Sequence, residues 1–417
     1  MTLSASMAAA GQSIGIEECQ ALARRNYPAI ERYGLIERTT EWTVTNIARG
    51  WLPQVAMTAQ ATLQSEVSTL PDPIDGMIKQ QGYEVDGLRK GQYRIGIDVC
   101  QTVYDGGTSR TLKTVAMREG EVEKAKTDVD IYAIAEMVNE LYFGILLTEE
   151  RMRLNEDLLR LLDANMSRLE SLERHGTAME SDVMTMAAER LNAGREGLEL
   201  SYARESLMRM LGFFIGKEIT AVEKPMEPRT TEGENMRPEL RAIESEMLLI
   251  DAQEEALKSG RLPKLSVFAQ GYWGYPGYDM FEDMMEGEPG VNGMIGARLT
   301  WQIGGLYTKK GDEGKLATRR GLLAIARETF LFNNQMEEIS HRKEMEKYGR
   351  VVRDDEEIVR LRGEIRRAAE SKLEHGIIDT NGLLEEINRE NRARIDLSTH
   401  RIMQLKEIYG LIHTMNY

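Results

Sequence analysis

Five histidines are the residues best suited to proton or metal chemistry at neutral pH. They stand at 175, 341, 375, 400 and 413, without the spacing of a metal site. The two cysteines, Cys19 and Cys100, are far apart and form no C-x-x-C, so neither a zinc site nor a disulfide framework is indicated. G-x-S-x-G, H-E-x-x-H, the phosphate-binding P-loop and G-x-G-x-x-G are all missing. The chain is therefore read as a protein that is not an enzyme, with no catalytic residue, no metal and no cofactor. Two of the histidines do repeat in context: His175-Gly176 and His375-Gly376 lie 200 residues apart. That recurrence directs attention to the elements carrying them.

The balance of the 417 residues suits long solvated helices more than a compact mixed core, with 29% charged residues, 6% aromatics and a net charge of -15. No basic patch is visible, and the acidic balance argues against nucleic acid as a partner. No run is read as approaching the roughly 18–20 apolar residues of a membrane helix, so membrane contact would have to come from strands. The segment MTLSASMAAA ends in an A-x-A pattern at Ala8 to Ala10. Residues 1–14 are expected to be the remnant of a secretory signal, or else a disordered start.

Internal repetition organises the rest. Asn26-Tyr27-Pro28-Ala29-Ile30 corresponds to Met236-Arg237-Pro238-Glu239-Leu240, and Leu52-Pro53-Gln54-Val55 to Leu262-Pro263-Lys264-Leu265. Ile95-Gly96 corresponds to Ile295-Gly296, and Val103 to Ile303. The offset falls from roughly 210 to roughly 200 along the chain, far beyond a solenoid period. Two copies of one helix–hairpin–helix unit result, 15–213 and 238–417, joined by a linker at 214–237.

Each copy contains two alternating strands, expected over 52–66 and 93–104, and over 263–275 and 293–303. Val55, Met57, Ala59, Ala61 and Leu63 alternate with Thr58, Gln60, Thr62 and Gln64. Arg94, Asp98, Arg298 and Gln302 fall on the polar side of their strands. Apolar residues on one face and charges on the other fit both a half-buried soluble sheet and a transmembrane barrel strand. Trp51, Tyr93, Tyr275 and Trp301 would sit where an aromatic girdle lies. Four strands cannot close a barrel, and open edges are forbidden in hydrocarbon. Two chains would give eight strands around a filled interior; three would give twelve and leave a lumen.

From Gly107 to His175, and again from Gly305 to His375, the helical pattern is unbroken by proline. Each stretch would be on the order of 100 Å long, with a coiled-coil-like seam in Leu154, Leu158, Leu161, Leu162, Leu169 and Leu172. The return helices are shorter. Met179 to Phe213 would be continued by Pro238 to Gly260, and Thr380 to Gly410 would stack under Pro28 to Arg49, giving two spliced columns beside two continuous ones. The fold class is thus mainly α, with a small β part.

The ordered set Leu52-Pro53-Gln54, Gln101-Thr102-Val103-Tyr104-Asp105-Gly106-Gly107, Leu262-Pro263-Lys264 and Trp301-Gln302-Ile303-Gly304-Gly305-Leu306-Tyr307 resembles the TolC-like outer-membrane efflux proteins along nearly the whole chain. The turn patterns at Gly176-Thr177 and Gly376-Ile377 add to it. The resemblance implies a homotrimer whose 12-stranded barrel sits in outer-membrane lipid, with Arg94, Asp98, Arg298 and Gln302 lining its lumen and an α-helical tunnel extending into the periplasm. It implies an exit duct of a tripartite efflux or type I secretion system, partnered by a periplasmic adaptor and an inner-membrane transporter. Asp182 matches the family's gate aspartate. Its arginine and tyrosine partners align with Ile378 and Leu373, a departure from the family's ion-pair lock. The family's ring of acids aligns near Gly382 and Glu385, so Glu385 alone could supply it. His175, Gly176 and Thr177, with His375, Gly376 and Ile377, occupy the tips where the family meets its adaptor. The two histidines are read either as a proton- or metal-sensitive docking surface or, preferably, as polar turn residues. The rival reading of the chain is a periplasmic coiled-coil scaffold or adaptor, which explains the helices and leaves the amphipathic hairpins unexplained.

Overall fold

The computed structural model describes residues 13–82, 85, 87–228 and 235–416; the A-x-A segment at Ala8 to Ala10 lies outside them. In chain order the elements are β1 (Ser13–Ile14), α1 (Ile16–Asn26), a 3-10 turn (Pro28–Glu31), α2 (Arg32–Arg49), β2 (Gln54–Leu63), α3 (Asp72–Gln80), β3 (Gly91–Tyr104), α4 (Thr108–Arg174) and α5 (Glu180–Ile215). There follow β4 (Ala221–Val222), α6 (Pro238–Gly260), β5 (Lys264–Tyr275), α7 (Met280–Glu286), β6 (Gly290–Thr300), a 3-10 turn (Ile303–Leu306), α8 (Lys309–Glu374) and α9 (Thr380–Met415). Helices dominate, as the proline-free stretches predict: α4 runs 67 residues and α8 runs 66. The chain divides into two compact units. One comprises Gly34–Glu123 and Glu244–Ala324; the other holds the chain up to Tyr33, Lys124–Ile243 and everything from Ile325.

The first unit contains a four-stranded antiparallel sheet in the order β2-β3-β5-β6. Register decides its faces. Met57 pairs with Ile97, Ile97 with Gly271, and Gly271 with Gly293, while Gln60 pairs with Arg94 and Ser266 with Arg298. Odd-numbered residues therefore share one face and even-numbered residues the other, as far as a bulge between Thr102 and Tyr104. Three sequence expectations need correction here. The last strand ends at Thr300 rather than 303. Trp301 turns its indole N–H to the carbonyl of Arg261 at 3.1 Å, and a 3-10 turn follows at Ile303–Leu306. Gln302 accordingly lies off the strand. Tyr275, expected in the girdle, is 3% exposed. Its hydroxyl accepts the Arg89 N–H at 3.0 Å, and the Arg89 guanidinium stacks on its ring; a buried phenol needs such a partner.

The second unit is helical. Its core gathers Ile16, Cys19 and Ala23 of α1, Ile134, Val138, Tyr142 and Ile145 of α4, and Leu211 and Ile215 of α5. The Tyr142 hydroxyl reaches the carbonyls of Ile14 (2.9 Å) and Glu223 (2.5 Å), which pins the two-stranded β1–β4 sheet to that core. Contrary to the sequence reading, α4 does contain a stretch apolar and long enough to cross a membrane, and 61% of it is buried inside the protein. A second cluster lies toward the hairpin tips: Leu158, Leu162 and Leu169 meet Met186, Leu383, Leu384 and Ile387.

Helix splicing also differs from expectation. The last carbonyls of α5, at Phe213 and Phe214, accept the Asn26 side-chain amide (3.2 and 3.1 Å), immediately before the chain turns into the segment leading to α2. At the other junction the Met236 N–H donates to Met415 O and the Asn416 amide to Met236 O, just before α6. Each return helix thus ends against the segment that leads into its own repeat, α5 at Asn26 and α9 at Met236. The orphan carbonyls at a helix end must find donors, and the donors stand at corresponding positions of the two copies, Asn26 and Met236.

At the second junction the Tyr132 ring stacks on His413 (centroids 4.4 Å, planes 9° apart). The Arg237 guanidinium lies 5.0 Å above the same tyrosine and pairs with Glu239. Burial, and then the positive charge of Arg237, push the His413 imidazole down to about 4; Glu239 opposes and Arg24 assists. A histidine held below its free value of about 6.5 stabilises the fold fully above that value. The contribution is lost as pH falls toward 4, because the unfolded chain takes up the proton first. Stability is therefore expected to rise between pH 4 and 6.5, and His413→Gln to flatten that rise. An unfolding series across this range checks it; an unchanged slope in the variant would discount His413 as the source.

Candidate functional site

Two regions hold the residues singled out in the sequence. The first is the hairpin tips, where both copies close α4 and α8 in the same way. His175 Nδ1 donates to Ser171 O at 2.6 Å, and His375 Nδ1 to Ser371 O at 2.7 Å. Gly176 (φ 73°) and Gly376 (φ 67°) are left-handed. The following N–H groups reach back five residues, Thr177 to Leu172 and Ile377 to Lys372, each at 2.9 Å. This is the glycine-terminated helix end, satisfying carbonyls that a helix otherwise leaves free. The histidines, as arranged, secure those ends. Nothing surrounds a Cβ at either glycine, so substitution is penalised by backbone conformation alone. Gly176→Ala and Gly376→Ala are each expected to cost about 1 kcal/mol, and asparagine less. Chemical denaturation of the four variants tests this, and equal stability for alanine and glycine at both sites would contradict it.

The starts of α5 and α9 differ. In the first copy the Asp182 carboxylate reaches back to the Met179 N–H at 3.0 Å. In the second, Asp379 stands at the cap and accepts the Gly382 N–H at 2.9 Å. Each helix start is hydrogen-bonded by one carboxylate, from the third helical position in one copy and from the cap in the other. Ile378 and Leu373 pack against the apolar tip cluster, so neither offers Asp182 a charged or hydroxyl partner. Glu385 is 60% exposed on its side chain and pairs with Arg389, which also binds Glu386. Asp379 is not among the residues expected from the sequence, although an aspartate just before an apolar-periodic run is a helix-start signal. Nor does the sequence mark the Arg366–Glu390 pair. Glu390 is 3% exposed and is clasped by Arg366 and Arg394. Charges in a helical pattern read as solvated face, and only the packing reveals this one as buried.

The second region is the sheet. Its odd face carries Val55, Met57, Ala59, Ile95, Ile97, Val99, Val267, Trp273, Val291, Ile295 and Leu299. Gln101 is its single polar residue, and its amide is spent on the Trp51 and Thr102 carbonyls. These side chains are uncovered: Met57 is 73% exposed, Ile295 84% and Leu299 70%. Tyr93 and Trp273 pair at 5.9 Å on this face. Arg94, Asp98 and Arg298 all lie on the even face, where Arg94 donates to Gln60 at 2.9 Å and Thr58 donates to Asp98 at 3.0 Å. Gln302, beyond the strand, does not join them. The sheet's outer strands, β2 and β6, each have one edge unpaired within the chain and run antiparallel to one another. Among the described residues there is no cluster of three or more histidine, cysteine or acidic side chains arranged to hold a metal.

No family model matches the sequence, and none of the curated proteins does. Solved structures do. The outer membrane protein VceC of Vibrio cholerae superposes with a TM-score of 0.68 at 14% identity, over 96% of this chain and 95% of that one. The outer membrane channel MtrE of Neisseria gonorrhoeae, in its open state, gives 0.66 at 14% identity over 96% and 88%. The outer membrane channel CmeC of Campylobacter jejuni gives 0.65 at 11% identity over 96% and 85%. The chain has the fold of these outer-membrane channels over nearly its whole length, which is the fold that the resemblance of the sequence implies.

Proposed function

We propose that the chain is an outer-membrane channel that assembles as a homotrimer and serves as the exit duct of a tripartite efflux or type I secretion system. The observation that carries this reading is the uncovered odd face of the sheet. A soluble monomer rarely exposes a contiguous apolar patch beyond a few hundred Å², and an apolar band backed by a charged face is what a barrel strand presents to lipid. Because β2 and β6 run antiparallel, β6 of one copy can pair with β2 of the next and keep the alternation of strands. Three copies close twelve strands around a lumen lined by Arg94, Asp98 and Arg298. The helices support assembly too. Met184, Leu191, Leu198 and Tyr202 of α5 are exposed at heptad-like spacing, as are Ile358, Leu361 and Ile365 of α8. The seams of Leu191 and Leu198 and of α8 lie about three to five turns from their hairpin tips, where neighbouring copies could interlock them.

On this reading the apolar face meets outer-membrane lipid and the helical unit extends into the periplasm. The tips at His175, Gly176, Thr177, His375, Gly376 and Ile377 receive a periplasmic adaptor joined to an inner-membrane transporter. Small molecules pass without chemical change, and the protein is not an enzyme. Asp182 and Glu385 stand at the pore entrance. The sharing of Arg389 between Glu385 and Glu386 leaves the entrance acidic, and a ring of such groups favours cations. The test is purification followed by planar-bilayer recording. A detergent-requiring, heat-modifiable trimer with discrete conductance is expected, and Glu385→Gln should lower its cation preference. A soluble species that never conducts would return the chain to the scaffold reading. Unchanged selectivity in the variant would remove Glu385 from the entrance.

A further inference from the structure

The even face of the sheet has a chemistry of its own. It carries four charged residues, Arg94, Asp98, Lys264 and Arg298. Three cations against one acid give it a net charge of +2 per chain, although the whole sequence carries -15. Asp98 is engaged by the Thr58 hydroxyl. Arg94 donates to Gln60 at 2.9 Å, and both arginines stand beside an aromatic ring. Tyr272 lies directly across from Gly96, and a Cβ on that glycine would come 2.6 Å from the tyrosine Cβ. Phe268 lies across from Gly296, where a Cβ would fall 2.8 Å from the ring. Each glycine thus makes room for a ring on the neighbouring strand. Two residues from each glycine stands an arginine: the Arg94 guanidinium is 6.0 Å from the Tyr272 centroid, and that of Arg298 is 4.9 Å from the Phe268 centroid.

Resting on the proposed channel, we infer that this face is a binding surface for organic anions that pair a carboxylate, sulfonate or phosphate with an aromatic or apolar body. A guanidinium beside a ring presents in-plane N–H groups that can grip an anion in bidentate fashion, Arg94 with those that Gln60 does not take. The ring beside it offers apolar surface to the rest of the molecule. The device occurs twice in each chain, hence six times around a trimer, inside a narrow wall that concentrates the field. The acids at the helical tips belong to the other unit, so the ion selectivity of the whole channel sums both regions, and a local probe is needed.

Cys100 supplies that probe. It is exposed on the even face, directly across from Phe268, while the other cysteine, Cys19, is buried. Wild-type protein in lipid vesicles is treated at low salt with methanethiosulfonates bearing either a sulfonate or a trimethylammonium group. The thiolate displaces sulfinate and a mixed disulfide forms. The ratio of anionic to cationic rates is referred to that of a free cysteine peptide in the same buffer. We expect it to be raised about threefold or more, to fall toward the free-peptide value in Arg298→Gln and Arg94→Gln, and to persist in Arg298→Lys, which keeps the charge. Millimolar naphthalenesulfonate should slow labelling of Cys100, and chloride at the same ionic strength should not. A ratio at or below that of the peptide overturns the inference, as does equal slowing by chloride, which would indicate only a diffuse field. If Cys100 reacts with neither reagent until the protein is unfolded, the lumen assignment itself fails, and the inference with it.

Discussion

Ile97→Arg is expected to abolish membrane assembly, while Gln270→Arg, on the adjacent strand, is tolerated. Ile97 lies on an inner strand between Met57 and Gly271, well away from either end of the sheet, on the uncovered apolar face. Gln270 stands directly across from Asp98 on the even face. An arginine facing lipid near the bilayer midplane costs about 2–4 kcal/mol, and a trimer would carry it three times. The same residue facing water costs little, and beside Asp98 it gains a partner. Because alternation has a period of two, a substitution one strand over separates faces without changing depth or chemistry much. Outer-membrane fractionation and heat-modifiable mobility on gels provide the readout. If both arginine variants assemble alike, the odd face does not meet lipid.

The second large effect concerns the hairpin of the second repeat. Glu390→Ala is expected to destabilise the protein by about 3–5 kcal/mol, the usual loss when one partner of a buried ion pair is removed. Arg366, 14% exposed on its side chain, would retain only Glu370. Replacing both partners, as Arg366→Met with Glu390→Leu, should recover most of the loss, since a well-packed apolar pair often matches or exceeds a buried ion pair. Arg394 is 42% exposed on its side chain and can turn to water. The first repeat provides a precedent for the methionine: Met166 stands at the position of Arg366 and packs against the apolar tip cluster, while Arg190, at the position of Glu390, turns outward to the exposed Asp163. Thermal unfolding of the three proteins distinguishes the cases. A double variant as unstable as Glu390→Ala would mean that the charges are needed for more than mutual compensation.

The features legible in the sequence are those with a period. Alternation in the four strands and the proline-free runs of α4 and α8 survive because local geometry repeats them. What escaped notice depends on single long-range contacts. The end of α5 meets the start of its own repeat through Asn26, which reaches carbonyls some 187 residues away. The two-residue strands β1 and β4 have no pattern to read and are held by the Tyr142 hydroxyl. Tyr275 looked like a girdle residue because aromatic type alone does not reveal burial. The apolar stretch in α4 belongs to the core of the helical unit. At the tips, glycine and histidine marked the turns, but the transfer of the capping acid between copies emerges only from the bonds themselves.

That transfer has a consequence for inheritance. Duplicated halves of a gene tend to exchange sequence and grow alike. Here a crossover within the four codons from Met179 to Asp182, or from Asp379 to Gly382, would generate one hairpin with both capping carboxylates, at the cap and at the third helical position, and another with neither. The uncapped product would lose about 1 kcal/mol of stability, and selection would act against it. Exchange that breaks inside those four codons is thereby disfavoured, whereas exchange of the whole segment leaves a cap on both tips.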